Sequence, residues 1–217
     1  MTVSGQIKKG ARTDSVTPKR GGSTRVALPG VADAAVVRKA SASQTLSTPA
    51  ALGFSMPAEW ERHEATWLIW PHNPIDWPDK IDTVRWVYGE IVRKITPGER
   101  VRLLVNNQAD EQGARRVLSR AGADLSRVEL IRHPTERAWT RDTGPIFVRR
   151  QKGETAIAHF HFNAWAKHDD WQKDRRVPDT AARLLGKRLF HAKCNGKDFV
   201  IEGGGIEVNG RGTLLTT

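Results

Sequence analysis

Trp139 and Asp142 stand three residues apart in the run Trp139-Thr140-Arg141-Asp142-Thr143-Gly144-Pro145. A planar cation such as a guanidinium needs that pairing. A carboxylate accepts its N–H groups in a fork, and an aromatic wall covers its face. Asp142 taken alone has a plainer reading, a side chain that caps a turn. Trp139 moves the reading toward a guanidinium-shaped slot. A second carboxylate, Glu202, precedes Gly203, Gly204 and Gly205 and follows an apolar run. The glycines permit close backbone approach or positive φ. A carboxylate at a strand end lies where α/β folds place their sites. A β-bulge with a solvated Glu is the competing reading.

Other constellations carry less. His159 and His161 alternate on a strand-like run and share a face, with His168, Asp169 and Asp170 nearby. Their spacing matches no closed ligand set, so they read as half-exposed strand histidines and no metal is assigned. Cys194 and His191 offer a thiol and an imidazole, but in a turn-like stretch with no orienting partner, and a Cys–His nucleophile is not favoured. His63-Glu64 reads as structural.

These residues need elements to position them. Thr66–Trp70 reads as a buried strand closed by Pro71. A helix capped by Asp82 or Thr83 should follow, with Trp86, Val87, Ile91 and Ile95 inward and Pro97-Gly98 as its stop. Val101–Val105 is the next strand. The helix Asp110–Ala121 should bury Ala114, Val117, Leu118 and Ala121, and Val128–Ile131 is a third strand. After the Trp139–Pro145 turn, Ile146–Val148 and Thr155–Phe162 form a hairpin across Gln151-Lys152-Gly153. Pro178 opens a helix that ends at Gly186. Leu189-Phe190 and Phe199–Ile201 are short strands, and Asn209-Gly210 turns a last hairpin from Ile206 to Leu215. Strands and helices alternate in units of roughly fifty residues, the pattern of repeated α/β units. No Gly-rich phosphate loop follows the first strand, which argues against nucleotide binding.

Composition sets the outer bounds. The net charge is +11 over 217 residues, and residues 1–50 hold eight basic residues against Asp14 and Asp33. The basic excess is therefore concentrated in a Ser-, Thr- and Gly-rich stretch without an aromatic residue. That stretch is expected to be a disordered basic leader or an extension from a misplaced start, with Met56 as the alternative start, rather than an organelle transit peptide. Residues 51–217 are expected to be the folded part. One cysteine excludes an internal disulfide. No apolar run approaches the ~20 residues that span a bilayer. A soluble, cytoplasmic protein with no membrane partner is expected.

The blocks Gly53-Phe54-Ser55-Met56-Pro57-Ala58-Glu59-Trp60, Thr66-Trp67-Leu68-Ile69-Trp70-Pro71, Trp139 to Pro145, Phe162-Asn163-Ala164-Trp165 and Glu202-Gly203-Gly204 occur in that order. Together they resemble the agmatine deiminases, relatives of the bacterial-type peptidyl-arginine deiminases, over residues 53–217. The resemblance implies part of a five-bladed α/β propeller, the pentein fold of ββαβ-like units around a central site. It implies hydrolysis of agmatine to N-carbamoylputrescine and ammonia, in putrescine synthesis, with no cofactor and no metal. Asp142 would then bind two guanidinium nitrogens, Trp139 would pack beside the substrate, and Glu202 would hold a catalytic His. A Cys thiolate would add to the guanidinium carbon, the His would protonate departing ammonia, and water would cleave the thiouronium.

The family's Gly-His-x-Asp and Gly-Gly-x-x-His-Cys motifs lie beyond Thr217. His159, His161 and Cys194 do not fit them. The chain is expected to be the N-terminal part of a longer protein and inactive by itself. Alternatives are a peptidyl-arginine or arginine deiminase, a non-catalytic remnant, and a basic Trp-rich nucleic-acid-binding module. The last is disfavoured, because no Lys/Arg stripe accompanies the eight Trp residues. A small-molecule substrate is the expected partner, no nucleic acid is expected, and a homo-oligomer is possible.

Overall fold

A computed structural model describes residues 48–150 and 153–216. The expected basic leader falls almost wholly outside the described residues, as do Gln151 and Lys152 of the expected hairpin turn. No helix among the described residues is long and apolar enough to cross a membrane.

The first unit is a parallel sheet. It runs β1 (Ala65–Ile69), α1 (Ile81–Ile95), β2 (Arg100–Val105), α2 (Gln108–Arg120) and β3 (Val128–Arg132), with strand order β1-β2-β3. Leu103 of β2 pairs with Leu68 on one side and Leu130 on the other. Central β2 is apolar on both faces because both are covered. Val101, Leu103 and Val105 pack with Trp70, Val92, Ala114 and Leu118 beneath the two helices. Leu104 points the other way, into a cluster with Ile69, Ile131, Ala138 and Val177.

Local chemistry explains the helices. Asn107 has extended backbone and its side-chain oxygen accepts from the Asp110 N–H at 3.0 Å, an N-cap for α2. The inward face of α1 differs from the expected one. Val92 is fully buried, with Tyr88 and Ile95 packed beside it, while Trp86, Val87 and Ile91 are exposed. Lys80 precedes the helix, without a side-chain cap from Asp82 or Thr83. Gly89 sets the rotation: a Cβ there would stand 3.0 Å from the Ala121 Cβ, so α1 crosses α2 at this point. The sequence is apolar on more than one side of α1, and the close crossing selects which side turns inward.

The second unit follows the one-turn helix α3 (Thr140–Thr143). Strands β4 (Ile146–Arg149) and β5 (Thr155–His159) are antiparallel, and α4 (Val177–Leu185) returns the chain to β6 (Arg188–His191), parallel to β5. Pro178 lies in the first turn of α4, and Gly186 at φ 60° closes it. Phe54, Val148, Ala156, Ala158 and Phe190 form the core on one face of this sheet. Ile157, Ala181 and Ala182 form the core on the other.

Two small hairpins complete the described chain. Lys193–Cys194 (β7) and Lys197–Asp198 (β8) flank Asn195 and Gly196, at φ 52° and 78°, the backbone of a primed two-residue turn. Ile206–Val208 (β9) pairs with Leu214–Thr216 (β10). Its loop is five residues long rather than a two-residue turn, with the Asn209 side chain accepting from the N–H groups of Arg211 and Thr213. The strand expected over Phe199–Ile201 reduces to a single bridge between His161 and Val200. The fold class is α/β.

Candidate functional site

Within Trp139 to Pro145, residues Thr140–Thr143 form α3, between the first sheet and β4. The Trp139 carbonyl accepts from Asp142 N–H, Thr143 N–H and the Thr143 hydroxyl, so the turn is bonded three times to one oxygen. A Cβ on Gly144 would lie 2.5 Å from the Thr140 carbonyl oxygen, which explains glycine at the exit.

Against this turn lies the Glu202 segment. Glu202 has extended backbone, and Gly203–Gly205 form a 3-10 turn, not a β-bulge. A Cβ on Gly203 would stand 2.5 Å from the Arg141 carbonyl oxygen. A Cβ on Gly204 would stand 2.6 Å from Asp142 Oδ1. Two of the three glycines are therefore there for close approach, and they bring two carboxylate-bearing residues of distant sequence side by side.

Asp142 is left electrostatically unbalanced. Arg141 turns away from it, pairing with Glu59 and with Glu207 Oε1 at 3.0 Å. Burial pushes the Asp142 carboxyl up from the ordinary range, and the nearby Glu202 charge pushes it further the same way. The Arg141 charge offsets part of that rise. A small cavity beside this corner is lined by Asp142, Thr143, Gly144, Phe160, Phe162 and a cationic residue, Arg175.

Trp139 sits in an aromatic group rather than on that cavity's wall. Its ring lies 5.1 Å from Trp165 and 5.4 Å from His168. Trp165 in turn meets Phe162 edge-on at 5.7 Å. The turn carrying it is left-handed: Ala164, Trp165 and Ala166 have φ of 50°, 57° and 54°.

Trp139 also covers a guanidinium that belongs to the chain. Arg137 lies 5.1 Å from its ring centroid. The same guanidinium donates through Nε and Nη2 to the two oxygens of Asp170, each at 3.0 Å, and through Nη1 to Asp76. Behind it, fully buried Asp174 accepts from the backbone N–H of Glu136 at 2.6 Å and of Arg137 at 3.4 Å. Burial, the largest cause, raises the Asp174 carboxyl to about 6. None of this was read from the sequence. Asp76, Arg137 and Asp170 lie in three separate loops, and no local pattern links them.

The remaining candidates disperse or regroup. Cys194 is exposed in its hairpin. His161 lies beside Trp171, 5.3 Å between rings, and 3.8 Å from an Asp198 oxygen. His159 pairs across the sheet with His191 and faces Asp179, rather than joining His168, Asp169 or Asp170. His63 stands 3.6 Å from Glu99, and Glu64 pairs with Arg102 at 2.8 Å, both at the sheet edge.

Comparison with known proteins adds the family. Residues 55–217 match the family described as Porphyromonas-type peptidyl-arginine deiminase. The chain is 36% identical over 180 residues to an agmatine deiminase of Pseudomonas aeruginosa, covering 81% of this chain and 46% of that protein. It is 35% identical over 176 residues to one of Ectopseudomonas mendocina, covering 79% and 45%. Among solved structures, the agmatine deiminase of Enterococcus faecalis superposes with a TM-score of 0.69 at 31% identity, over 78% of this chain and 45% of that one. The chain thus spans about half the length of these relatives. With three quarters of its residues matched, the chain belongs to the Porphyromonas-type peptidyl-arginine deiminase family.

Proposed function

We propose that the protein supplies the guanidinium-holding half of an agmatine deiminase site. In this reading Asp142 accepts two N–H groups of the substrate guanidinium, and Trp139 packs beside the substrate from outside the small cavity that Asp142 lines. Glu202 positions the histidine that serves as acid and base. The reaction is hydrolysis of a C–N bond, from agmatine and water to N-carbamoylputrescine and ammonia. The observation that carries it is the Asp142–Glu202 corner, where two acidic residues are packed together by glycines and the adjacent arginine is engaged elsewhere. The family relationship and the names of its relatives support the same substrate class.

A guanidinium at rest is resonance-stabilised and a poor electrophile. A carboxylate on two of its nitrogens fixes the plane and exposes the central carbon to attack. The family's Gly-His-x-Asp and Gly-Gly-x-x-His-Cys motifs do not occur in the 217 residues. Nucleophile, general acid–base and second carboxylate then come from residues outside this chain, within a complete propeller of which these units form part. The setting is a cytoplasmic polyamine route.

Binding tests this directly. Titration calorimetry should show agmatine binding to the chain, weakened about tenfold or more in Asp142→Asn, since a hydrogen bond to a charged group is worth about 1.5–3 kcal/mol. Hydrolysis by the isolated chain should be absent. Equal affinity of wild type and Asp142→Asn would reject the assignment. Preference for an arginine-containing peptide over agmatine would move the reading to peptidyl-arginine.

A further inference from the structure

A second group of donors lies on the other sheet. His159 ends β5, His191 ends β6, and the two are register partners on adjacent parallel strands. Their rings are 5.0 Å apart. Asp179, in the first turn of α4, reaches over them. One ligand atom from each of the three lies within 4.8 Å of the others.

The contact between His159 and Asp179 is informative in its detail. His159 Nδ1 stands 3.4 Å from Asp179 Oδ2. That lies outside the common range of about 2.7–3.2 Å for an N–H···O hydrogen bond. Nδ1 is buried and has no hydrogen-bond partner. In the tautomer with its proton on Nε2, this imidazole presents a bare lone pair at Nδ1, as a metal-binding histidine does. In that tautomer a cation between Nδ1 and the carboxylate oxygen satisfies both. An ion held about 2.0–2.2 Å from a nitrogen and an oxygen at a tetrahedral angle separates them by about 3.4 Å. The observed gap matches that separation.

We propose that His159, Asp179 and His191 bind one divalent transition ion of the zinc type. Two imidazoles and one carboxylate select zinc, cobalt or nickel over magnesium and calcium. His191, the exposed member, supplies the third donor. The fourth position opens into a cavity of about 580 Å³ shared with His133, His161 and Arg183. Lys173, Arg175 and Arg176 line the same cavity. Their repulsion weakens the ion's hold at low ionic strength and is screened by salt. A bound ion would tie the first turn of α4 to the ends of β5 and β6.

The test is titration of the tag-free 217-residue chain, stripped with chelator, with cobalt(II). One equivalent should give visible d–d bands, displaced by zinc and unaffected by magnesium. Zinc should raise the thermal midpoint. Affinity should fall more than about tenfold in Asp179→Asn and in His191→Ala, while Cys194→Ser and His168→Ala retain it. His191 is exposed, so its variant is expected to fold, and circular dichroism checks that. Absence of cobalt binding to wild type overturns the proposal. So does undiminished binding in the folded Asp179→Asn and His191→Ala proteins.

Discussion

Gly204 lies directly against Asp142, so close that a Cβ on the glycine would stand 2.6 Å from Oδ1 of the aspartate. Its neighbour Gly203 meets something stiffer, the Arg141 carbonyl. The two positions should respond differently. Gly203→Ala forces backbone apart and should cost about 1–3 kcal/mol. Gly204→Ala displaces a side chain instead, with a smaller loss of stability and a larger loss of agmatine affinity. Gly205 faces open space, and Gly205→Ala should change stability by less than about 0.5 kcal/mol. Urea denaturation of the three variants gives the ranking.

Asp142 should impose a pH signature. Burial and Glu202 hold its folded carboxyl above the ordinary range. The folded state therefore binds this proton more tightly than the unfolded chain. Its stabilising contribution is full below the unfolded value of about 3.9 and is lost as pH rises through the folded one. Asp142→Asn should gain on wild type in melting temperature across that rise. A constant difference from pH 4 to pH 8 would contradict the argument.

Asp174 follows the same sign with a defined window. Its folded carboxyl titrates at about 6. From about 3.9 up to that value wild type should lose up to roughly 3 kcal/mol that Asp174→Asn does not, at 1.36 kcal/mol per unit. The asparagine oxygen can still accept from the Glu136 and Arg137 N–H groups. Parallel stability profiles for the two proteins between pH 4 and pH 8 would show that the buried charge is neutralised by other means.

Arg137 cannot be replaced by a simple cation. Arg137→Ala leaves Asp76, itself buried, without its partner and should cost about 3–5 kcal/mol. Arg137→Lys restores charge but neither the fork on Asp170 nor the flat cover on Trp139, and should recover only part of the loss. Thermal melts give the cost, and tryptophan fluorescence reports the altered Trp139 environment.

Much of the frame was legible because its signals are local. Period-2 and buried runs give β1, β2 and β3, Pro178 and Gly186 bracket α4, and Gly122 stops α2. The glycines after Glu202 read correctly as a place of close approach. What failed depends on partners far away in sequence. The inward face of α1 is set by the Gly89–Ala121 crossing, and Phe199–Ile201 has no neighbouring strand beyond the bridge at Val200. Trp139 and Asp142 read as one slot, and the residues around each come from distant sequence. The fold stacks Trp139 on Arg137 and gives Asp142 a different corner. His159 and His161 read as half-exposed strand histidines, and only sheet register shows that His159 lies beside His191.

The Arg137 clamp binds three stretches that the sequence keeps well apart: the loop holding Asp76, the approach to α3, and the loop holding Asp170. Detaching any one strands charge on the others, so none can fray alone at low cost. The three should open as one cooperative unit, and Trp139 rides on it. Breathing of this face is then a single event, in which the walls beside α3 are present together or absent together.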